Sequence, residues 1–336
     1  MSAVAAVVIG RNEGERLERC LRSLAGRAEP VIYVDSGSED DSVAIARAAG
    51  ADVVALDLAT PFTAARARNA GFARIEELRT GCELVQFVDG DCEVQPGWLE
   101  TARAHLETQP GVAVVCGRRR ERAPGVSPYN RLADLEWDTP IGESDACGGD
   151  AMMRAAAFAA AGGFDARLIA GEEPELCYRL RRAGHRIVRL DHEMTLHDAA
   201  MHRFGAWWRR SERAGHAYAE CAWLHGREPE RFRVREVASI LAWGGALPAA
   251  AIAGAWATSG WSLALLAGYG VLAARVYTSR RQRGDARADA ALYAAACAIG
   301  KLAQLQGMAR FAWNRLVRRR NSALIEYKSA KRMQSG

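Results

Sequence analysis

The sequence predicts an α/β fold on a mostly parallel sheet, followed by a C-terminal helical membrane hairpin. Three observations lead there. Apolar strand-like runs alternate with helical patterns from Val4 to Cys116. Two of those runs end in acids, at Asp35 and at Asp89 and Asp91. Near residue 236 the composition changes to long uncharged stretches flanked by arginine.

Val4–Ile9 reads as a buried strand. It is not expected to be a secretion signal, because no basic region precedes it and Arg11, Glu13 and Glu15 follow at once. Arg16–Leu24 has amphipathic helical spacing. Strands are expected at Val31–Val34, Val53–Leu56, Leu84–Val88 and Val112–Cys116, with helices at Ser42–Ala49, Ala64–Leu78 and Trp98–Thr108. In such sheets ligands bind beyond the carboxyl ends of the strands, which is where the acids fall.

The chain has 336 residues, 49% hydrophobic and 25% charged. That suffices for about two units of ~150 residues and excludes a disordered or collagen-like protein. Eight cysteines without a C-x-x-C pair argue against a zinc module or disulfide framework and suit a reducing compartment. The net charge of +5 is a property of the tail. Residues 310–336 hold eight Lys/Arg against Glu326 alone, a surplus larger than that of the whole chain. The remainder is slightly acidic, so nucleic acid is not expected as a partner; an anionic lipid surface is.

Val237–Ala257 is 21 residues without a charge, and Trp261–Ala274 is a second uncharged run. A helix needs about 20 residues to cross the hydrocarbon core. Residues 257–260 make a short turn between the runs. Arg231, Arg233 and Arg235 precede the pair, and Arg275, Arg280, Arg281 and Arg283 follow it. By the positive-inside rule both ends face the cytoplasm, at the inner membrane, with Trp243, Trp256 and Trp261 as interfacial anchors. Ala288–Leu316 reads as an interfacial helix feeding the basic tail; a third span or a helix packed on the globule are the other options. The expected organisation is a catalytic domain over 1–230, a hairpin over 231–284, and a helix with basic tail over 285–336.

Three signals carry chemistry. Asp35 closes an apolar strand before Ser36-Gly37-Ser38, where it serves either a ribose or base N–H, or the cap of the next helix. Asp89 and Asp91 stand one residue apart after a Val/Phe-rich strand; carboxylates so close repel unless a cation joins them. Oxygen ligands suit Mg²⁺ or Mn²⁺, which also hold nucleotide phosphates. Glu172 and Glu173 precede Pro174 in a turn opening with Gly171, where a general base can face a ligand. Dipole-friendly charge placement explains Glu175 and Arg179, Arg181 and Arg182 better than it explains that pair.

Taken together, these stretches resemble glycosyltransferase family 2, the inverting enzymes of the GT-A fold. The resemblance rests on Asn12-Glu13 after the first strand, Asp35-Ser-Gly-Ser38, Arg68-Asn-Ala-Gly71, Asp89-Gly-Asp91 with Pro96-Gly-Trp-Leu99, Gly148-Gly-Asp150, Gly162-Gly-Phe-Asp165 and Glu172-Glu173. It spans residues 4–200. It implies Asp35 at the nucleoside, Asp91 on the metal with Asp89 at the metal or ribose, Arg68 on the donor side, and Asp150 toward donor or acceptor sugar. Glu173 stands where the family's aspartate acts as general base; the longer side chain leaves Glu172 as the other candidate. His197 falls where members often place a histidine near the diphosphate, although a lone histidine is commonly structural. Arg209 and Arg210, after Trp207-Trp208, are candidate phosphate ligands or part of a Trp-anchored surface helix.

The implied activity is inverting transfer of a sugar from a nucleotide-diphospho-sugar to a lipid-linked or glycan acceptor at the cytoplasmic membrane face, assisted by Mg²⁺ or Mn²⁺. A sugar nucleotidyltransferase is disfavoured by too few glycines in residues 10–14. A nicotinamide enzyme is disfavoured by the absence of Gly-x-Gly-x-x-Gly after the first strand. A non-enzymatic nucleotide-sugar-binding membrane scaffold is the alternative from another class, against which the intact acids argue.

Overall fold

The computed structural model describes residues 3–318. They form two compact units, one of Met1–Arg122 with Glu136–Ala199, the other of Ala123–Leu135 with the chain from Ala200 onward.

The first unit opens with β1 (Val4–Gly10), α1 (Glu15–Leu24), β2 (Val31–Asp35), α2 (Ser42–Ala48), β3 (Asp52–Ala55), α3 (Ala64–Glu77) and β4 (Leu84–Asp89). Then come β5 (Cys92–Val94), α4 (Trp98–Thr108) and β6 (Val112–Glu121). After α5 (Pro128–Glu136), which belongs almost wholly to the second unit, follow β7 (Gly142–Glu143), β8 (Ala151–Arg154), α6 (Ala155–Ala160), α7 (Glu172–Arg182) and β9 (Arg186–His197). The sheet runs β3-β2-β1-β4-β8-β6-β9-β5, with β7 beside β9. Strands β3, β2, β1 and β4 are parallel; β8 lies antiparallel to β4 and to β6. The sheet is therefore parallel in its first half and mixed in its second.

Register sets the site. Gly10 of β1 pairs with Asp35 of β2, and Ile9 with Asp89 of β4. Both acids thus sit at the same carboxyl edge, one on each side of β1, about 10 Å apart at ~4.8 Å per strand. The layer above is tight. Gly71 of α3 lies against β1 and β2, where a Cβ would come within 2.3 Å of a Val7 methyl and 3.0 Å of a Val34 methyl. That close approach explains the glycine of the Arg-Asn-x-Gly stretch, and it brings Arg68, one turn earlier, over the sheet edge.

Strand β6 runs further than its apolar residues suggest. It continues from the expected Cys116 to Glu121, with register shifts on either side of Arg118. Gly117 permits them: a Cβ there would meet the His192 carbonyl at 2.6 Å and the Trp98 ring at 2.8 Å.

The second unit is helical. α8 (Phe204–His225), α9 (Val234–Ile240), α10 (Leu247–Ala253), α11 (Gly268–Gln282) and α12 (Arg287–Trp313) compose it with α5. α8 and α12 touch backbone to backbone. A Cβ on Gly215 would come within 2.0 Å of the Gln304 carbonyl, and one on Gly307 within 1.9 Å of the Glu212 carbonyl. α5 joins them through Arg131, whose guanidinium meets both oxygens of Asp289 at 2.8 and 2.6 Å, and through Tyr129 stacked on Trp207. α8 thus clusters with α12, and the second compact unit takes up the chain again at Ala200.

α9, a widened π-type segment over Leu241–Ala246, and α10 form one continuous stretch. Pro248 cannot donate a backbone hydrogen bond to the preceding turn, and the wide segment ahead of it takes up the mismatch. Val234–Ala253 is the one stretch among the described residues long and apolar enough to cross a membrane. The expected second span does not qualify: Trp261–Ala267 winds as tight 3₁₀ turns before α11. α12, read from the sequence as interfacial, packs against α8. The basic tail from residue 319 onward lies outside the described residues.

Candidate active site

The two N-terminal turns lock each other. Asn12, at φ 57°, donates its backbone N–H to the Ser38 hydroxyl at 2.9 Å and accepts the Glu39 N–H on Oδ1 at 2.7 Å. Ser42 Oγ accepts the amides of Glu13 and Gly14 at 3.0 and 3.1 Å. Asp35 is buried beneath them. Its Oδ2 accepts the N–H groups of Gly37 and Ser38, both at 3.0 Å, while the Tyr33 hydroxyl donates to Oδ1 at 3.2 Å. Asp35 thus caps its own turn rather than the next helix, α2, which has Asp41 at its N-cap. The Tyr33 hydroxyl is pushed up in pKa, chiefly by burial, and remains a donor.

Arg68 is the hub of the acidic cluster. It is 2% exposed and donates to Asp89 Oδ1 at 2.7 Å and to Glu172 Oε1 at 2.9 Å. Burial opposes its charge, but Asp89 and then Glu172 outweigh it, and its pKa is raised. Asp150, fully buried, accepts the Asp89 N–H at 3.0 Å on one oxygen; the other takes the Thr195 hydroxyl at 2.7 Å and Arg119 at 2.8 Å. Arg119 also lies 3.7 Å from Asp89. Gly149 sits beside these groups: a Cβ there would press on Arg68, Arg119 and Asp89 at 3.0–3.1 Å. Asn69 clamps the next turn, donating to the Phe164 carbonyl at 2.8 Å and accepting its N–H at 2.9 Å.

Asp91 faces His197. Its Oδ1 is 3.4 Å from His197 Nε2, and its backbone carbonyl accepts the Asp198 N–H. The other His197 nitrogen lies 3.9 Å from Glu121, whose carboxylate accepts the Ala199 N–H. Trp137 packs edge-on against the imidazole at 4.7 Å. Ligand atoms of Asp91, Cys92 and His197 lie within 4.8 Å of one another. Asp91 Oδ2 and His197 Nδ1 are buried without a hydrogen-bond partner, and a carboxylate beside an imidazole is a donor set that fits a divalent cation, with the carboxylate suited to Mn²⁺. The Cys92 thiol is a soft donor and poorly matched to Mg²⁺ or Mn²⁺. Asp89 is engaged by Arg68 and Arg119, so of the Asp89-Gly-Asp91 pair Asp91 is the better placed ligand.

Gly171, at φ 82°, starts α7, and the first two side chains of that helix go different ways. Glu172 pairs with Arg68. Glu173 Oε1 accepts the Cys147 N–H and lies 3.3 Å from Cys177 Sγ. Glu175 holds Arg179 through both oxygens at 2.8 Å, and Arg179 in turn caps the end of α6 at Ala161. The helix-dipole reading thus accounts for Glu175 and Arg179 but not for Glu172 or Glu173.

The structure brings Arg68, Asp89, Asp150 and Glu172 into direct contact and places Asp91 beside His197. Arg209 and Arg210 fall on α8, in the other unit. To these the structure adds Arg119, Thr195, Glu121 and Trp137, which no motif marks. Arg119 alone leaves a trace in the sequence: in a strand prolonged past Cys116 it faces opposite to Arg118 and Arg120.

A half-sheet of parallel strands tipped with acids, joined to a reversed β8, is the architecture of the GT-A fold. Residues 5–160, a little under half of the chain, match the family model described as glycosyl transferase family 2. The pre-mycofactocin glycosyltransferase of Mycobacterium tuberculosis H37Rv is 31% identical over 218 residues, covering 58% of this chain and 44% of that protein. The chain thus spans less than half the length of that relative. Among solved structures, the mannosyltransferase PcManGT from Pyrobaculum calidifontis, in complex with GDP-Man and Mn²⁺, superposes with a TM-score of 0.65 at 19% identity, covering 93% of this chain and 88% of that one. Residues 1–349 of S. aureus TarS give 0.51 at 17% identity, covering 92% of this chain and 92% of that fragment.

Proposed function

We propose that this protein is an inverting glycosyltransferase that moves a sugar from a nucleotide-diphospho-sugar to an acceptor presented at a membrane surface. The observation that carries the reading is the meeting of Arg68, Asp89, Asp150 and Arg119 at the strand edge, next to the Asp91–His197 pair. A divalent cation, Mg²⁺ or Mn²⁺, held by Asp91 and His197 would neutralise charge on the departing diphosphate. The chain's own residues do the rest. Asp35 turns from its own loop amides toward the nucleoside. Arg68 holds Asp89 and Glu172 in place around the donor. Asp150 fixes the Asp89 backbone and, through Arg119 and Thr195, the floor beneath the sugar.

Glu173 is the base. Glu172 already forms an ion pair with Arg68, which commits it to holding that arginine, whereas Glu173 is held by an amide and a thiol. On attack, the acceptor hydroxyl gives its proton to Glu173.

Membrane association is supported by apolar side chains left bare on the second unit. Trp256 is 96% exposed and Trp261 81%, at the turn after α10, with Ile252 and Val271 also open. Exposed apolar surface of this kind marks an interaction or membrane site. The reading places the sheet unit on the cytoplasmic side, where a soluble donor meets a lipid-linked acceptor.

The test is a panel of nucleotide-sugars followed by thermal shift with and without Mn²⁺. One donor should stabilise the protein in a metal-dependent way. Asp91→Ala should abolish that shift. Glu173→Gln should keep it and lower turnover by about 10²–10⁴-fold, with Glu172→Gln affecting donor binding instead. Parent-like behaviour of both Asp91→Ala and Glu173→Gln would overturn the assignment.

A further inference from the structure

Behind Glu173 lies a group that the transfer reaction does not use. Cys147 and Cys177 bring their sulfurs to 3.6 Å, and Cys177 Sγ is 3.3 Å from Glu173 Oε1. One ligand atom from each of the three residues lies within 4.8 Å of the others, and all three residues are buried. Tetrahedral zinc, with Zn–S about 2.3 Å and Zn–O about 2.1 Å, requires S···S of ~3.8 Å and S···O of ~3.6 Å. The S···S separation and the Cys177 S···O separation are within a few tenths of an ångström of those values. Placement comes from two rigid supports: Cys177 is one turn beyond Glu173 on α7, and Cys147 is anchored by its own amide on Glu173 Oε1. Both thiols stay protonated in the free protein. Burial pushes Cys147 up, and at Cys177 the hydrogen bond with Cys147 pulls downward but burial and Glu173 prevail.

We propose that Cys147, Cys177 and Glu173 form a binding site for a soft divalent metal ion of the zinc type, separate from the Asp91–His197 pair. Thiolates select such ions over Mg²⁺ and Mn²⁺. On binding, the two thiols lose their protons to solvent and two sulfur–metal bonds and one oxygen–metal bond form; the ion and its three ligands then carry one net negative charge. Glu173, as a ligand, is withdrawn from proton transfer. This consequence rests on the reading of Glu173 as the base, whereas the binding itself does not. The site is invisible in sequence because its cysteines are thirty residues apart.

The experiment uses the full chain, stripped with a chelator and kept reduced, titrated with Co²⁺ alone as an optical probe. One equivalent should produce a thiolate-to-cobalt charge-transfer band, bleached by Zn²⁺. Cys147→Ala and Cys177→Ala should each remove the band. Cys92→Ala, which alters the other cluster, should keep it. Glu173→Gln should weaken binding about 10–100-fold, and this variant covers the case in which a cysteine variant fails to fold. Absence of the band in the folded parent, or its loss only in Cys92→Ala, would overturn the site. So would mass spectrometry showing a Cys147–Cys177 disulfide that forms on air exposure of reduced protein and Zn²⁺ that fails to prevent it. Zinc should also inhibit transfer in the parent; tight zinc binding with full transfer activity would refute Glu173 as base while upholding the metal site.

Discussion

Replacing Arg68 by methionine keeps most of its volume and removes its charge. Two carboxylates then lose a partner at once: Asp89, at 2.7 Å, and Glu172, at 2.9 Å. The arginine is nearly inaccessible, and its guanidinium also lies 5.5 Å from the centre of the Phe164 ring. Stripping one partner from a buried ion pair costs about 3–5 kcal/mol. For a unit of this size each kcal/mol lowers the melting temperature by about 2–4 °C. Arg68→Met should therefore melt about 6–20 °C below the parent by circular dichroism. Adding Glu172→Gln removes one of the stranded charges and should recover part of the loss. A melting temperature within about 2 °C of the parent would refute the view that Arg68 holds the cluster together.

Gly71→Ala inserts a methyl group against Val7 and Val34; overpacking of about 1–3 kcal/mol should exceed the ~1 kcal/mol helix gain, lowering the denaturant midpoint. His216 is pushed down to about 4 by burial, then by Arg310 and Arg213. Because its folded pKa is below the unfolded value, stability is full above about pH 6.5 and falls by about 3 kcal/mol toward pH 4. In His216→Gln the loss over that window should be smaller by that amount in denaturant titrations; equal slopes would refute it. Replacing Trp256 and Trp261 together by serine should reduce co-flotation of the full chain with anionic vesicles several-fold, without changing its far-ultraviolet circular dichroism.

Much of the sheet unit was legible because short-range rules fixed it. Continuous apolar runs marked the buried strands, and acids after strand ends marked Asp35, Asp89 and Asp91. Where residues act at long range the sequence said little. Arg119 reaches Asp150 only because Gly117 lets β6 bulge and continue. Thr195 and Glu121 matter through β6–β9 pairing, which no local pattern announces. The packing of α8 on α12 was hidden for a related reason: Gly215 and Gly307 are ordinary helix glycines until the two helices are seen touching. The resemblance favoured Glu173 over Glu172 by position alone, and the first turn of α7 gives the two neighbours different partners.

The excursion of residues 123–135 out of the sheet unit has a consequence for biosynthesis. β9, the last strand, is translated by residue 197, so the sheet can close early. Asp289, the carboxylate that Arg131 grips, emerges from the ribosome some ninety residues later. A ribosome paused between those points would display a finished sheet with an uncommitted α5 segment, the stretch on which a holding chaperone would find purchase.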